Sequence, residues 1–379
     1  MDSSFVTAFG LDPDVLHLNH GAFGVAPSVV RQAAAGWRTR AERNPHRFNR
    51  VEVQGLLAQA RANAAAFLGV DQDRAAWVRN VSEGASAVLG SLALRAGDEL
   101  VISTHGYGAV AMALGRHAAR AGARVVTAAF PVGAGDDEIV AAYAGACSPR
   151  TRLVVVDRIT SPTATVIPVA AVAAAVAPTG ARVLVDAAHG PGQLPDDIAG
   201  LGADHWIGYR HKWAYTPRGS AILWSRPGAE VSPSVLSWQL DDGYAASFDY
   251  PGTWDYAGWL AAADGLAYWQ AIGGWDAVAG LAALVADGQR QVAADLGVSL
   301  DRLPAVPAPA MRLVPLPAGV ITGPGQVDPF YQALSGQRVE VAPVCFDGAG
   351  YLRIAAAPYN TPGDYRRLAA TVRTLIDGR

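Results

Sequence analysis

The stretch ARVLVDAAHGPGQLPDDIAGLGADHWIGYRHKW (residues 181–213) decides the fold prediction. It begins with a short β-branched run that ends at Asp186, passes through a Gly/Pro-rich connection and enters a second such run at 204–209. Lys212 follows the second run. In open sheets of parallel strands, ligands bind beyond the carboxyl ends of the strands. We therefore expect Asp186 and Lys212 at one ligand-binding edge.

Apolar runs alternate with Ala-rich segments of helical length on both sides of this stretch, which predicts a mostly parallel sheet covered by helices on both faces. The last two runs are only about ten residues apart, so we predict that they form a hairpin with one antiparallel strand. The candidate strands are 75–80, 99–104, 123–129, 151–157, 181–187, 204–209 and 220–224, with helices such as 83–95, 107–121 and 167–177 between them.

The flanking segments predict a second, smaller unit. We expect a large α/β domain over 20–260, with the segment 1–19 packing at its active site, and a linking helix with a small α+β domain over 261–379. Within this division, helices are predicted at 28–68, a Gly/Ser/Trp-rich interruption at 230–256, a long helical region at 257–296, a Pro-rich segment at 303–317, a strand pair at 337–346 and 351–355, and a final helix at 362–377.

Composition excludes several classes of protein. The 379 residues are 51% hydrophobic and 17% charged with a net charge of −3, which argues against nucleic acid or an anionic membrane as the main partner. Two cysteines are too few for a disulfide framework, and no apolar run approaches the length of a membrane span. The N-terminus shows no signal-peptide pattern. We expect a soluble, cytoplasmic protein with no metal site.

Lys212 is the only lysine among the 30 basic residues, and arginine stands at the other 29 positions. Arginine stays protonated, whereas a lysine amine can lose its proton and attack a carbonyl group. The pattern therefore favours a chemical role for Lys212, with chance survival in an arginine-rich sequence as the alternative.

Two further strand ends carry candidate ligand-binding residues. Asn80-Val81-Ser82-Glu83-Gly84 leads into a helix and can present backbone N–H groups and a hydroxyl to an anion such as phosphate. Tyr107, between two glycines, can present a flat face to a planar ligand, although packing at a strand end is as reasonable. The glycine-rich fingerprints of nucleotide-binding folds are absent from this region.

Taken together, these motifs resemble those of the class V aminotransferase family of fold-type-I pyridoxal phosphate (PLP) enzymes, in its isopenicillin N epimerase-like branch. The resemblance covers roughly residues 15–375, with the motifs in one order and spacing. The matching strings are DAAH (186–189), HKW (211–213), PRG (217–219), LNHGAFG (18–24), NPHRF (44–48), VRNVSEGASAVL (78–89), HGYGAV (105–110), ITSPTATVIPV (159–169), GTWD (252–255) and LRIAAAPYN (352–360).

The resemblance implies PLP as the cofactor, an amino-acid substrate and a homodimer whose active site is shared between subunits. Lys212 would form the Schiff base and shuttle the Cα proton, while Asp186 would pair with the pyridine nitrogen. The resemblance also implies that Tyr107 lies over the ring, that His189 lies near the ring hydroxyl and that Tyr209 contacts the cofactor. The phosphate would be bound by Val81, Ser82, His211 and Thr253 of the partner subunit. Arg353 would bind the substrate carboxylate, and Asn19, His20 and Trp254 would lie on the substrate side.

The sequence departs from many relatives at three positions, with Ala22 for Ser, Tyr209 for Asn and Trp254 for Arg. An aromatic ring in place of a cation argues against an acidic substrate tail and favours a bulky or flat side chain. Cysteine desulfurases of the same superfamily use a nucleophilic cysteine well upstream of the carboxylate-binding arginine. Cys345 stands only eight residues before Arg353, inside an apparent strand, so we predict a core cysteine.

The expected reaction is a C–S lyase-type elimination, or a related deamination, on a cysteine S-conjugate in specialised metabolism. Epimerisation or racemisation and transamination remain open, because all three reactions use Lys212 and Asp186. A non-catalytic PLP-binding protein is the alternative of another class.

Overall fold

The β-strands form where the sequence has short runs of Val, Ile and Leu. The structure is a computed structural model that describes residues 8–378, so positions 1–7 of the predicted N-terminal segment lie outside the described residues. In chain order the strands are Leu16–His17 (β1), Ala75–Val78 (β2), Glu99–Ser103 (β3), Arg124–Ala128 (β4), Thr151–Asp157 (β5), Arg182–Asp186 (β6), His205–Tyr209 (β7), Ala221–Ser225 (β8), Met311–Pro315 (β9), Val339–Glu340 (β10), Ala342–Phe346 (β11) and Ala349–Ala355 (β12).

The central sheet has seven strands in the order β2-β8-β7-β6-β5-β3-β4. Strands β3 to β7 pair in parallel, whereas β8 runs antiparallel to both β7 and β2. The predicted α/β fold and the hairpin with one antiparallel strand are therefore confirmed. The interior strands are buried at nearly all positions, as expected for a sheet covered on both faces.

The helices connect the strands and cover both faces of the central sheet. Helix ends follow local signals, such as the Asn80 side chain that accepts the Glu83 N–H at one N-terminus. The α-helices are His20–Phe23, Ser28–Arg43, Pro45–Arg47, Val53–Leu68, Val81–Gly90, Gly108–Ala121, Asp136–Ala146, Val169–Val176, Ala246–Asp249, Ala257–Leu260, Ala262–Ala271, Gly274–Leu296, Val327–Gly336 and Pro362–Asp377, with a π-helical turn at Phe48–Glu52.

A second sheet lies in the C-terminal part, with the antiparallel order β11-β12-β9. The predicted strand pair and final helix are present, and β9 lies within the Pro-rich segment 303–317, for which the sequence predicted no strand. Within β9 only Pro315 is a proline, and it stands at the last position of an edge strand, where no ladder hydrogen bond from its nitrogen is required. The division into domains at residue 260 stays a prediction.

Among residues 8–378, no single helix is long and apolar enough to cross a membrane. The bent pair Ala257–Ala271 and Gly274–Leu296 passes that test together by length and composition, with a bend of 68° between the two helices.

Arg210 is a buried cation that has no acidic partner in the described part of the chain. It is 0% exposed, its three guanidinium nitrogens lack hydrogen-bond partners among the described residues, and burial lowers its pKa to about 9. Its guanidinium carbon lies 4.4 Å from the centroid of the Trp77 ring. This cation–π contact offsets only part of the cost of removing the charge from water.

Arg210→Met is therefore expected to raise the free energy of unfolding by about 1–3 kcal/mol, since an uncharged side chain of similar length removes that cost. Denaturant unfolding of the purified protein measures the change. Arg61→Met is the matched control, because buried Arg61 lies 3.3 Å from an Asp249 oxygen, and its loss is expected to cost about 3–5 kcal/mol. A loss of stability in Arg210→Met would contradict the prediction.

Candidate active site

A cavity of about 520 Å³ opens at the carboxyl edge of the central sheet. Its volume suits a small organic ligand. Eight of the residues that the sequence singled out line it, and five do not. The lining residues are Val81, Tyr107, Asp186, His189, Tyr209, His211, Lys212 and Trp254. The segments that follow β2, β3, β6 and β7, together with the segment that carries Trp254, therefore bring together side chains that are up to 173 positions apart in the sequence.

Two glycines position the backbone of Lys212. Gly24 has φ +63°, and a Cβ at this position would overlap the carbonyl oxygen of His211. Gly192 has φ +83°, and a Cβ there would overlap the backbone of Trp213. Only glycine allows both the left-handed conformation and this close approach. The loop that carries Lys212 is thus held between two backbone segments.

Lys212 loses its proton far more easily than an exposed lysine. Burial and the nearby Arg353 charge together lower its pKa to about 7, against the opposing effect of Asp186. The Trp213 indole N–H donates to Nδ1 of His189 at 3.4 Å, so Nε2 of a neutral His189 carries the proton. This Nε2 lies 3.2 Å from Nζ of Lys212. A neutral lysine nitrogen can accept that hydrogen bond, whereas an ammonium group cannot.

Asp186 offers one unpaired oxygen at the carboxyl end of β6. Its Oδ1 accepts the Ala188 N–H at 3.0 Å, whereas its buried Oδ2 has no partner among the described residues. Burial raises the pKa of the carboxyl group above its usual range, although Lys212 and the Ala188 N–H oppose the shift. A buried carboxylate oxygen without a partner can bind a cationic N–H of a ligand.

The N-terminus of the helix Val81–Gly90 forms an anion-binding part of the cavity wall. Its first residues, Asn80 and Val81, line the cavity together with His211 and Arg218. The first N–H groups of a helix have no partner within it and attract anions. Burial and the neighbouring cations Lys212 and Arg218 lower the pKa of His211 to about 3, and its Nδ1 has no partner among the described residues.

Five predicted site residues do not line this cavity: Asn19, His20, Ser82, Thr253 and Arg353. His20 does not face the substrate side, because its ring nitrogens contact the Tyr359 hydroxyl at 3.0 Å and the Lys212 carbonyl oxygen. Its contact with the Lys212 carbonyl oxygen instead stabilises the loop that carries Lys212. Ser82 follows Val81 in the same helical turn, and Thr253 lines a neighbouring cavity of about 550 Å³ that shares Trp254 with this one.

Arg353 lies directly behind the cavity wall. It is 6% exposed and donates to the carbonyl oxygen of Ser161 and to Oδ1 of Asn19, the latter at 2.9 Å. Ser161 itself lines the cavity. Burial lowers the pKa of Arg353 to about 10, and none of the acidic side chains in residues 8–378 forms an ion pair with it. A buried guanidinium group with neutral partners is suited to an anionic ligand.

Sequence reasoning missed four polar residues of the lining, namely Arg79, Asp157, Ser161 and Arg218. Asp157 ends β5 as Asp186 ends β6, so the pattern of an aspartate after a buried strand was available in the sequence. Arg79, Ser161 and Arg218 belong to the quoted motifs VRNVSEGASAVL, ITSPTATVIPV and PRG. The contact of Arg79 with Trp254 forms only in the folded chain.

Trp254 and Arg79 meet at the mouth of the cavity. The Arg79 guanidinium carbon lies 5.4 Å from the centroid of the Trp254 ring, and Nη2 of Arg79 lies 2.7 Å from an oxygen of Glu83. Trp254 is 41% exposed. The mouth therefore presents an aromatic face, while the nearby cation is already paired.

Cys345 lies in β11, opposite Gly350 of β12, as a half-buried free thiol. It does not line the cavity at Lys212. This position in a strand of the small sheet agrees with a packing role.

The sequence model of the family described as "Aminotransferase class-V" matches residues 25–277, which include Lys212, Asp186 and the helix at Val81. The chain belongs to the class V aminotransferase family. The predicted resemblance is thereby confirmed, and PLP is the cofactor that membership of this family assigns to the chain. Two features of the cavity lining fit PLP: the unpaired Oδ2 of Asp186 suits a pyridinium N–H, and the helix N-terminus beside His211 suits a phosphate.

The chain is also similar in sequence to individual curated proteins. The chain is 34% identical over 231 residues to an isopenicillin N epimerase of Streptomyces clavuligerus, covering 60% of this chain and 58% of that protein. It is 29% identical over 400 residues to a probable chloroplastic L-cysteine desulfhydrase of Arabidopsis thaliana, covering 96% and 84%. The first three curated relatives are matched over only 58%, 50% and 49% of their own lengths.

Solved structures show the same fold. A C-DES variant with glycine covalently linked to its PLP cofactor has a TM-score of 0.82, with 20% sequence identity over 97% of this chain and 98% of that chain. A second structure, of the cystine C–S lyase C-DES with its product cysteine persulfide, has a TM-score of 0.79, with 20% identity over 95% and 97%. The predicted fold-type-I architecture is confirmed.

Proposed function

We propose that this protein is a PLP-dependent enzyme that acts at Cα and Cβ of a bulky amino acid, by a C–S lyase-type reaction or a related deamination on a cysteine S-conjugate. The observation that carries the proposal is the neutral Lys212 amine in one cavity with the unpaired Asp186 oxygen. Relatives named as L-cysteine desulfhydrases, and a cystine C–S lyase of the same fold, support the C–S part.

The roles we propose follow from the position of each side chain. Bound PLP supplies an electron sink for the pair released when a bond to Cα breaks. Asp186 Oδ2 would hold the proton on the ring nitrogen, and His211 with the N-terminus at Val81 would hold the phosphate. Lys212 Nζ, which is neutral and oriented by His189, would take the proton from Cα of the amino acid and return it.

Substrate binding is assigned to the opposite wall and the mouth. Arg353, held by Asn19 and Ser161, would bind the α-carboxylate of the substrate through two parallel hydrogen bonds. Trp254 would contact the substrate side chain. Because the cation beside it is already paired with Glu83, this wall supports a flat or bulky group rather than an acidic tail.

Arg353→Ala is expected to weaken binding of an amino acid by about 10- to 150-fold, because hydrogen bonds between charged groups are worth about 1.5–3 kcal/mol. The decarboxylated amine, which lacks the carboxylate, is expected to bind with unchanged Kd. Arg353→Lys should recover part of the loss, since an ammonium group cannot form the planar pair. Equal weakening of both ligands, or of neither, would rule out the carboxylate contact.

A screen of amino acids and cysteine S-conjugates with the PLP-loaded protein tests the reaction. Elimination consumes the S-conjugate and water and releases one thiol, one pyruvate and one ammonia, so pyruvate and ammonia are expected in equal amounts. Interconversion of L and D forms without ammonia would replace the lyase with an epimerase, which the 34% identity to an isopenicillin N epimerase makes the second candidate. Amine transfer to a keto acid would indicate an aminotransferase. No spectral change with any substrate would indicate a non-catalytic protein.

We further propose a homodimer in which Thr253 of the partner subunit completes the phosphate site. Two observations support a partner at the cavity: Phe23, which lines it, is 75% exposed, and Thr253 lies outside the cavity of its own chain. A cytoplasmic location and a role in specialised metabolism belong to the same proposal and rest on the family resemblance.

A further inference from the structure

Two buried carboxyl groups stand side by side at the carboxyl edge of the central sheet. Asp157 is the last residue of β5 and Asp186 the last residue of β6, and the two are Cα partners in the parallel register. Register partners on adjacent strands direct their side chains to the same face of a sheet. Both side chains line the cavity at Lys212, and the residues are 2% and 4% exposed.

This Asp157–Asp186 pair has fewer hydrogen-bond donors and cations around it than two ionised carboxylates require. Each group has a buried oxygen, Oδ2, without a hydrogen-bond partner among the described residues. Lys212 is close enough to Asp186 to stabilise its negative charge, whereas none of the cations in residues 8–378 does so for Asp157. The pair therefore contains two acids, and only Asp186 has the Lys212 amine nearby.

Two adjacent buried carboxyl groups cannot both ionise under these conditions, because desolvation and Coulomb repulsion act in the same direction. Burial raises the pKa of Asp157 well above its usual range, and the charge of Asp186 raises it further. Both carboxyl groups accept backbone N–H groups, those of Asp157 and Tyr107 at Asp157 and that of Ala188 at Asp186, but only Asp186 also has Lys212 nearby to stabilise its ionised form. Asp157 is therefore the member of the pair that keeps its proton.

We propose that Asp157 is a positioning residue that stays a neutral carboxylic acid at neutral pH and donates its proton to a hydrogen bond shared with Asp186. The pair then carries one negative charge, which matches one pyridinium N–H. The hydrogen bond fixes the orientation of the Asp186 carboxylate, as supporting groups do at other functional sites. The inference rests on the proposed function in one respect, namely that Asp186 binds the ring nitrogen of PLP.

Infrared difference spectra of the holoenzyme in water and in D₂O test the protonation directly. We expect a carbonyl stretch of a protonated carboxyl group at neutral pH that is lost in Asp157→Asn. Asp196→Asn is the matched control, because this similarly buried carboxylate is paired with Arg158 at 2.7 Å and lies outside the cavity. The control is expected to keep the Asp157 band. Absence of the band in the wild type, or its full persistence in Asp157→Asn, overturns the proposal.

The affinity of the apo-protein for added PLP tests the positioning role. An asparagine amide still donates a hydrogen bond to Asp186, whereas alanine does not. The Kd for PLP is expected to stay within about threefold of wild type in Asp157→Asn and to rise about tenfold or more in Asp157→Ala. An unchanged Kd in Asp157→Ala overturns the positioning role. Failure of the wild type to bind PLP would contradict the proposed function, while the infrared spectrum of the PLP-free protein would still decide the protonation of Asp157.

Discussion

Lys212→Ala is expected to abolish covalent attachment of PLP and all turnover. The chain has no other lysine, so no second side-chain amine can replace it. Lys212→Arg is expected to be equally inactive, although it keeps a positive charge, because a guanidinium group does not lose its proton to become a nucleophile. Borohydride reduction followed by mass spectrometry of peptides measures the attachment.

The single lysine makes the result unambiguous. One reduced PLP per chain is expected in the wild type, on the peptide that contains Lys212, and none in either variant. The anion-binding end of the cavity is unchanged by both substitutions, so some noncovalent PLP is expected to remain. A wild-type protein that stays unlabelled after incubation with PLP, or a variant that is labelled at a side chain, would contradict the assignment.

Asp186→Asn is expected to lower turnover by about 10³-fold or more, with a much smaller change in substrate binding. The amide removes the negative charge that would keep the ring nitrogen protonated, so charge developing in the transition state loses its stabilising partner. Steady-state kinetics separate the fall in kcat from any change in KM.

Asp196→Asn is the matched control for this variant. Asp196 is a buried carboxylate ten positions further along the chain, but its partner is Arg158 and it does not line the cavity. We expect its kcat to stay close to wild type. Near wild-type turnover in Asp186→Asn would mean that a different group holds the ring nitrogen.

The fold was predictable where an element is marked by its own run of residues. Each candidate strand of the central sheet is a run of β-branched and apolar residues, and the observed strands fall within one or two positions of it. Strand β9 was missed because prolines surround it, and its pairing with β12 depends on residues about forty positions away. The helix Val327–Gly336 was also missed; its buried residues Phe330 and Leu334 belong to the core of the C-terminal part.

Eight of the predicted site residues line one cavity, but their contacts could not be predicted. Lys212 and Asp186 stand out by rarity and by position after strands. His20, in contrast, was expected on the substrate side and instead contacts Tyr359 and the Lys212 carbonyl oxygen. Nothing in a linear sequence distinguishes these two orientations, because the partner of a histidine nitrogen is set by tertiary packing.

The sequence by itself determined the class of fold, the strands of the central sheet, and the identity of the one amine and the strand-end carboxylate, since these depend on local periodicity and residue chemistry. Only the tertiary structure decided how those groups behave. Burial lowers the pKa of Lys212 to about 7, the strand register sets Asp157 beside Asp186, and the fold leaves Arg353 without an ion-pair partner among residues 8–378. The pKa values and the interaction energies of these charged groups depend on the distances between them and on the exclusion of water. Both are set only when remote parts of the chain pack together.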